Sequence, residues 1–161
     1  MFVAFRAIVY SSLFVAFLLI YLPAGVLSGS GIGRPATIGG AQIVGMIAAG
    51  AGAAIALWCI STFALSGKGT PAPFDPPRRL VIRGPYRFVR NPMYIGAALA
   101  LAGAALFYRS TTLLGYIGVF LLACHLFVVA YEEPTLVRSS GAEYEDYRHR
   151  VRRWWPHVRP V

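Results

Sequence analysis

The sequence predicts an all-α, polytopic membrane fold, and three observations carry that prediction. Hydrophobic residues make up 57% of the 161 residues and charged residues only 13%, against about 25% charged in an average soluble domain. Four apolar stretches, at 7–27, 41–65, 93–108 and 111–131, approach the ~20 residues a spanning helix requires. Thirteen of the fifteen Lys and Arg residues lie at Arg6, between 66 and 92, or beyond 131, which leaves only Arg34 and Arg109 for the opposite side. The positive-inside rule then places both termini and the 66–92 loop in the cytoplasm. The chain fits one integral-membrane domain, 1–161, and has no room for a separate soluble catalytic domain, so any chemistry has to be built from helix ends and loops.

Each element follows in order. Stretch 7–27 reads as a retained helix; its apolar run is longer than that of the alternative, a signal peptide. With 41–65 it makes two N-terminal transmembrane helices over 1–65. Small residues spaced four apart, Gly45 and Ala49, Ala48 and Gly52, and Gly96 and Ala100, let helix backbones approach closely in lipid. Only Arg109 and Ser110 separate the third and fourth stretches, which predicts a tight helical hairpin. Past 139, Gly141 opens an amphipathic helix with Tyr144, Tyr147, Val151 and Trp154/Trp155 on one face, able to lie on the membrane or fold back as a lid. Trp154, Trp155, Tyr108 and Tyr131 read as interfacial anchors.

The net charge of +9 flanks apolar spans, which assigns it to topology and anionic headgroups rather than to nucleic acid. Cys59 and Cys124 lie inside separate apolar runs as packing residues, and no spacing suggests a metal site. Chemistry is signalled elsewhere. Glu132 and Glu133 sit at the end of the fourth stretch, where the helix terminus repels negative charge, so they need a cationic partner. That partner is either a loop arginine such as Arg87 or Arg90, or a cationic or hydroxyl-bearing ligand group. The loop before the third stretch is stiffened by Pro71, Pro73, Pro76, Pro77 and Pro85. Asn91-Pro92 then reads as an N-cap followed by proline at the first helical position, which leaves amides free for an anionic ligand group, with Tyr94 on the first turn. His125, inside the fourth stretch, reads as an interhelical hydrogen-bonding residue.

These residues carry a resemblance. "GKGTPAPFDPPRRLVIRGPYRFVRNPMYIG", followed by "EEPTLVRSSGAEYEDYRHRVRRWWP", resembles the isoprenylcysteine carboxyl methyltransferase family of integral-membrane enzymes, and more distantly the phospholipid N-methyltransferases. The resemblance implies that 66–161 is a methyltransferase-like half using S-adenosyl-L-methionine, with the site on the cytoplasmic face under the loop and the C-terminal helix. It implies cofactor contacts at Gly67, Gly69, Arg78, Arg79, Leu80, Val81, Tyr86, Asn91, Pro92, Met93, Tyr94, Glu132 and Glu133, with Asn91 and Tyr94 nearest the chemistry. The implied reaction is carboxyl O-methylation of a lipophilic acceptor drawn from the bilayer. Phospholipid N-methylation, small-thiol S-methylation and a non-catalytic membrane scaffold are the alternatives. Asn91 stands where the family usually has histidine, and Val128 where the prenylcysteine enzymes carry a basic residue.

Overall fold

The structure, a computed structural model, describes residues 15–66 and 80–156. Among the described residues it is all-helical, with no strand. Helix α1 covers Phe17–Gly29 and α2 covers Gly40–Ser66; after a 3₁₀ turn at Gly84–Arg87 come α3, Pro92–Tyr108, and α4, Thr111–Phe127. A π turn at Val128–Glu132 joins α4 to α5, Glu133–Arg150. Two of these helices are long and apolar enough to cross a membrane, Gly40–Thr62 within α2 and the continuous run Thr111–Arg150. The apolar helices follow one another in the predicted order; the described parts of α1 and α3, Phe17–Gly29 and Pro92–Tyr108, are shorter, so among the described residues two spans of crossing length are shown and not four.

Small residues bring α2 and α3 into backbone contact, as their spacing predicts. A Cβ added to Gly52 would lie 2.5 Å from the Gly96 carbonyl oxygen, one on Gly103 2.5 Å from that of Gly45, and one on Gly45 2.6 Å from that of Gly103. Nothing larger than hydrogen fits, so dispersion between the two backbones holds this pair in a medium that gives no hydrophobic gain for helix association. Gln42 closes one end. Its amide donates to the Phe107 carbonyl at 3.3 Å, one of the carbonyls a helix C-terminus leaves unpaired, while its Oε1 accepts from Gly39 N at 3.0 Å.

The α3–α4 hairpin turns as predicted at Arg109–Ser110. Arg109 takes a left-handed conformation, φ 50°, and Ser110 caps α4 by accepting from Leu113 N at 3.1 Å. The core between these helices is Ala97, Leu101, Ala105, Leu113, Ile117, Phe120 and Cys124, with α1 packed against it through Leu18, Leu19, Val26 and Leu27. Both cysteines are free and buried, consistent with packing.

Each of the two π turns ends two residues before a proline, at Phe17–Tyr21 before Pro23 and at Val128–Glu132 before Pro134. Proline has no amide hydrogen and crowds the preceding turn, and a widened turn relieves the clash. In the first, Leu22 N bonds back to Phe17 O, which leaves the Leu18 carbonyl without its helical donor. The Tyr116 hydroxyl on α4 donates to that carbonyl at 2.6 Å and ties α1 to the core.

Candidate active site

The second π turn sets the geometry of the site. A widened turn rotates the residues after it relative to a regular helix, and Glu132, its last residue, meets the first turn of α3. The Tyr94 hydroxyl donates to Glu132 Oε1 at 2.6 Å, within the range of a charge-assisted O–H···O⁻ bond. Glu133, one residue on, faces a different set of partners. Arg153 donates to it through Nε at 2.7 Å and Nη2 at 2.8 Å, and Arg90 Nη1 lies 3.1 Å from its Oε1. A loop arginine is thus a partner, as expected, here Arg90, and Arg153 of the tail joins it.

The C-terminal residues form a strap over this end of the bundle. Helix α5 is kinked at Gly141, with φ 49° and ψ −124°, where the sequence predicts the helix to restart. Tyr144, Tyr147 and Val151 are buried together, as the predicted stripe requires. The helix itself stops at Arg150, and Val151 is extended, so Trp154 reaches its place by loop and not on the helix face. Arg90 N donates to Arg152 O at 3.0 Å and Asn91 Nδ2 to Arg153 O at 3.2 Å. Trp154 Nε1 donates to His125 Nδ1 at 3.1 Å, and its ring packs against Tyr94 with centroids 6.4 Å apart. Trp154 is half-buried against Tyr94 and His125, whereas Trp155 is 75% exposed. His125 does bond across elements, to the strap instead of to another helix.

The 3₁₀ turn supplies the third side. Gly84 has φ +56°, and a Cβ there would lie 2.6 Å from Thr62 Oγ1, so both conformation and space require glycine. Pro85 and Tyr86 are buried behind it; Tyr86 clusters with Cys59 and Val81, and Met93 packs on that group. The Tyr147 hydroxyl donates to the Tyr86 carbonyl at 2.7 Å, fastening α5 to the turn. Burial, followed by the neighbouring Cys59 thiol, pushes the Tyr86 hydroxyl far above the usual phenol range, so it stays protonated as a neutral donor. Hydrogen bonding to Glu133 raises the Arg153 guanidinium further.

Of the residues singled out in the sequence, Val81, Tyr86, Asn91, Pro92, Met93, Tyr94, Glu132 and Glu133 gather at this end, around α3's first turn and the π turn. Leu80 packs instead against the Tyr144–Tyr147–Val151 cluster. Gly67, Gly69, Arg78 and Arg79 lie outside the described residues. Asn91 is not a side-chain N-cap: its amide is turned to the strap carbonyl, and α3 starts without a cap bond from its side chain. The sequence reading did not assign Arg153 or Trp154 to the site; their nearest signal was the possibility that the tail folds back. Among the described residues no group of three His, Cys, Asp or Glu is placed to hold a metal.

A carboxylate held by a phenol on the first turn of a proline-started helix, with the Trp154 ring packed on that phenol, offers an acceptor for hydroxyl or ammonium groups near π faces that attract cations. No curated protein and no solved structure gives a match. A family model described as phospholipid methyltransferase matches residues 41–143, from the start of α2 through Tyr94 and Glu132 into α5. With that match over well more than half of its length, the chain belongs to the phospholipid methyltransferase family and is a membrane methyltransferase.

Proposed function

We propose that the chain transfers a methyl group from S-adenosyl-L-methionine to a lipophilic acceptor at the cytoplasmic face of the membrane, with both termini on that side. The observation that carries this reading is the Tyr94–Glu132 hydrogen bond, which joins the two sequence motifs of the resemblance at one point. The arrangement fits the cofactor: a carboxylate for its ammonium or ribose hydroxyls, Tyr94 and Trp154 faces for its sulfonium, and backbone at the start of α3 for an anionic group. When bound, the cofactor supplies an electrophilic methyl whose transfer leaves a neutral thioether.

The residues of the chain bind, align and keep water out. Tyr94 fixes the Glu132 carboxylate in one rotamer, and the Trp154 strap covers the Tyr94 ring from the side of α4. Alignment and water exclusion are what an in-line displacement needs most. Residues 66–161 would form the catalytic half, with the acceptor entering from the bilayer between α3 and α4.

Two acceptors fit, each on its own observation. A prenylcysteine carboxylate is favoured by the motif resemblance and needs no proton removed at neutral pH. A phospholipid amine is favoured by the family match and must first lose a proton, for which Asn91 offers no base. Methylation with a labelled methyl donor in mixed micelles containing either acceptor tests both. A base-labile labelled methyl ester supports the first and a base-stable methylamine the second. Label transfer to neither lipid nor a small thiol, with no S-adenosylhomocysteine binding by folded protein, would leave a scaffold.

A further inference from the structure

We infer that Arg90 and Arg153 form a binding site for one oxyanion, a carboxylate or a phosphodiester, next to the Tyr94–Glu132 pair. Two guanidiniums here share one carboxylate. Arg153 spends Nε and Nη2 on Glu133, while Arg90 reaches Glu133 and the Tyr144 hydroxyl through the same nitrogen, Nη1, each at 3.1 Å. Glu132 is turned away onto Tyr94. Arg90 Nε is buried and has no hydrogen-bond partner.

That combination is costly without a ligand. The Arg90 side chain is 11% exposed and Glu133 12%, so a guanidinium that shares this carboxylate with Arg153 and has an unmet N–H lies largely out of water. A guanidinium pairs bidentately with carboxylate or phosphate along its Nε side or its Nη1–Nη2 end, and on Arg90 the Nε is unpaired. Arg153, 30% exposed, leaves the pair open on one side. Arg90 lies four residues before Tyr94 and Glu133 directly follows Glu132, so an anion held here lies beside the Tyr94–Glu132 pair. The inference rests on the proposed methyl-transfer reading, and two sources supply the chemistry: the carboxylate of the cofactor's amino-acid end, or the phosphodiester of a lipid headgroup.

Glu133 competes with the anion for both guanidiniums, which gives the test a sign. In detergent-purified full-length protein, S-adenosylhomocysteine and 5′-methylthioadenosine, which lacks the amino-acid end, are titrated calorimetrically; retention of phosphatidylglycerol against diacylglycerol is counted by native mass spectrometry. Arg153→Gln should weaken binding of the anionic probe about tenfold, and Glu133→Gln should strengthen it, with melting curves reporting that each variant is folded. If S-adenosylhomocysteine responds and 5′-methylthioadenosine does not, the cofactor's carboxylate is the ligand. If phosphatidylglycerol alone responds, the headgroup is. Failure of wild type to bind either nucleoside, with phosphatidylglycerol retention still moving in opposite directions in the two variants, would sink the cofactor reading and keep the site. No anionic probe moving in opposite directions in the two folded variants would overturn it.

Discussion

Tyr94 and Glu132 are 38 residues apart in sequence and 2.6 Å apart in space, and Glu132 is the last residue of the π turn that joins α4 to α5. The bond makes the carboxylate a fixed acceptor. Tyr94→Phe keeps the ring against Trp154 and removes the donor. It should weaken S-adenosylhomocysteine binding about tenfold, as loss of a hydrogen bond to a charged group does, without unfolding the protein. Glu132→Ala should abolish detectable binding. Calorimetric titration of both variants checks the pair, and a wild-type affinity in Tyr94→Phe would remove the hydroxyl from the site.

The α2–α3 contact makes a prediction about packing that is independent of function. Gly52→Ala places a methyl where the Gly96 carbonyl already stands, and the backbones would have to separate, at a cost of about 1–3 kcal/mol or more, as for overpacking in a close-packed core. Gly50→Ala, two residues away with nothing within 4 Å, should be neutral or should stabilise by up to about 1 kcal/mol through helix propensity. Thermal melts in the same detergent compare the two directly.

The hairpin between α3 and α4 depends on a buried cap. Ser110 is 2% exposed, and its hydroxyl is the partner of Leu113 N. Ser110→Ala should cost about 1 kcal/mol, and Arg109→Gly, which removes a side chain from a left-handed conformation, should stabilise by a smaller amount. Melting temperatures moving in opposite directions would bear out the turn.

The strap should loosen when two of its side-chain anchors are cut. Trp154→Phe keeps an aromatic ring and loses the bond to His125 Nδ1; Tyr147→Phe leaves the Tyr86 carbonyl, inside a buried cluster, without its donor, at about 1–3 kcal/mol. Limited proteolysis should cut the segment after Arg150 faster in Trp154→Phe than in wild type, and equal rates would show that the indole N–H does not hold the strap. The double variant should exceed either single change only additively, since the two bonds join different elements.

Much of the fold was legible because it rests on one-dimensional signals. Apolar runs marked α2, α3 and α4, the Arg109–Ser110 break marked the hairpin, Gly141 marked the kink, and small residues four apart marked the α2–α3 contact; each follows from hydrogen bonding or steric size within a few residues. The motif residues of the site were legible too, since Gly84, Pro92 and Glu132 each do something local to the chain. Less was visible in the polar side chains. Asn91 reads as a cap and does not cap, because its amide finds a strap carbonyl that local sequence does not reveal, whereas Ser110, read only as part of the hairpin break, does cap.

By itself, then, the sequence determined that this is a helical membrane protein, where its helices turn, and which motifs carry the methyltransferase family's pattern. Tertiary structure decided the pairings: Glu132 with Tyr94, Glu133 with Arg90 and Arg153, and Trp154 with His125. The physical reason is that a backbone's helical or turning habit is set by neighbours within four residues, whereas a charged or aromatic side chain takes whichever partner the packing of distant elements brings within hydrogen-bonding reach. Glu132 and Glu133, adjacent in the chain where a π turn ends two residues before Pro134, thus take different partners, Tyr94 for the first and two arginines for the second.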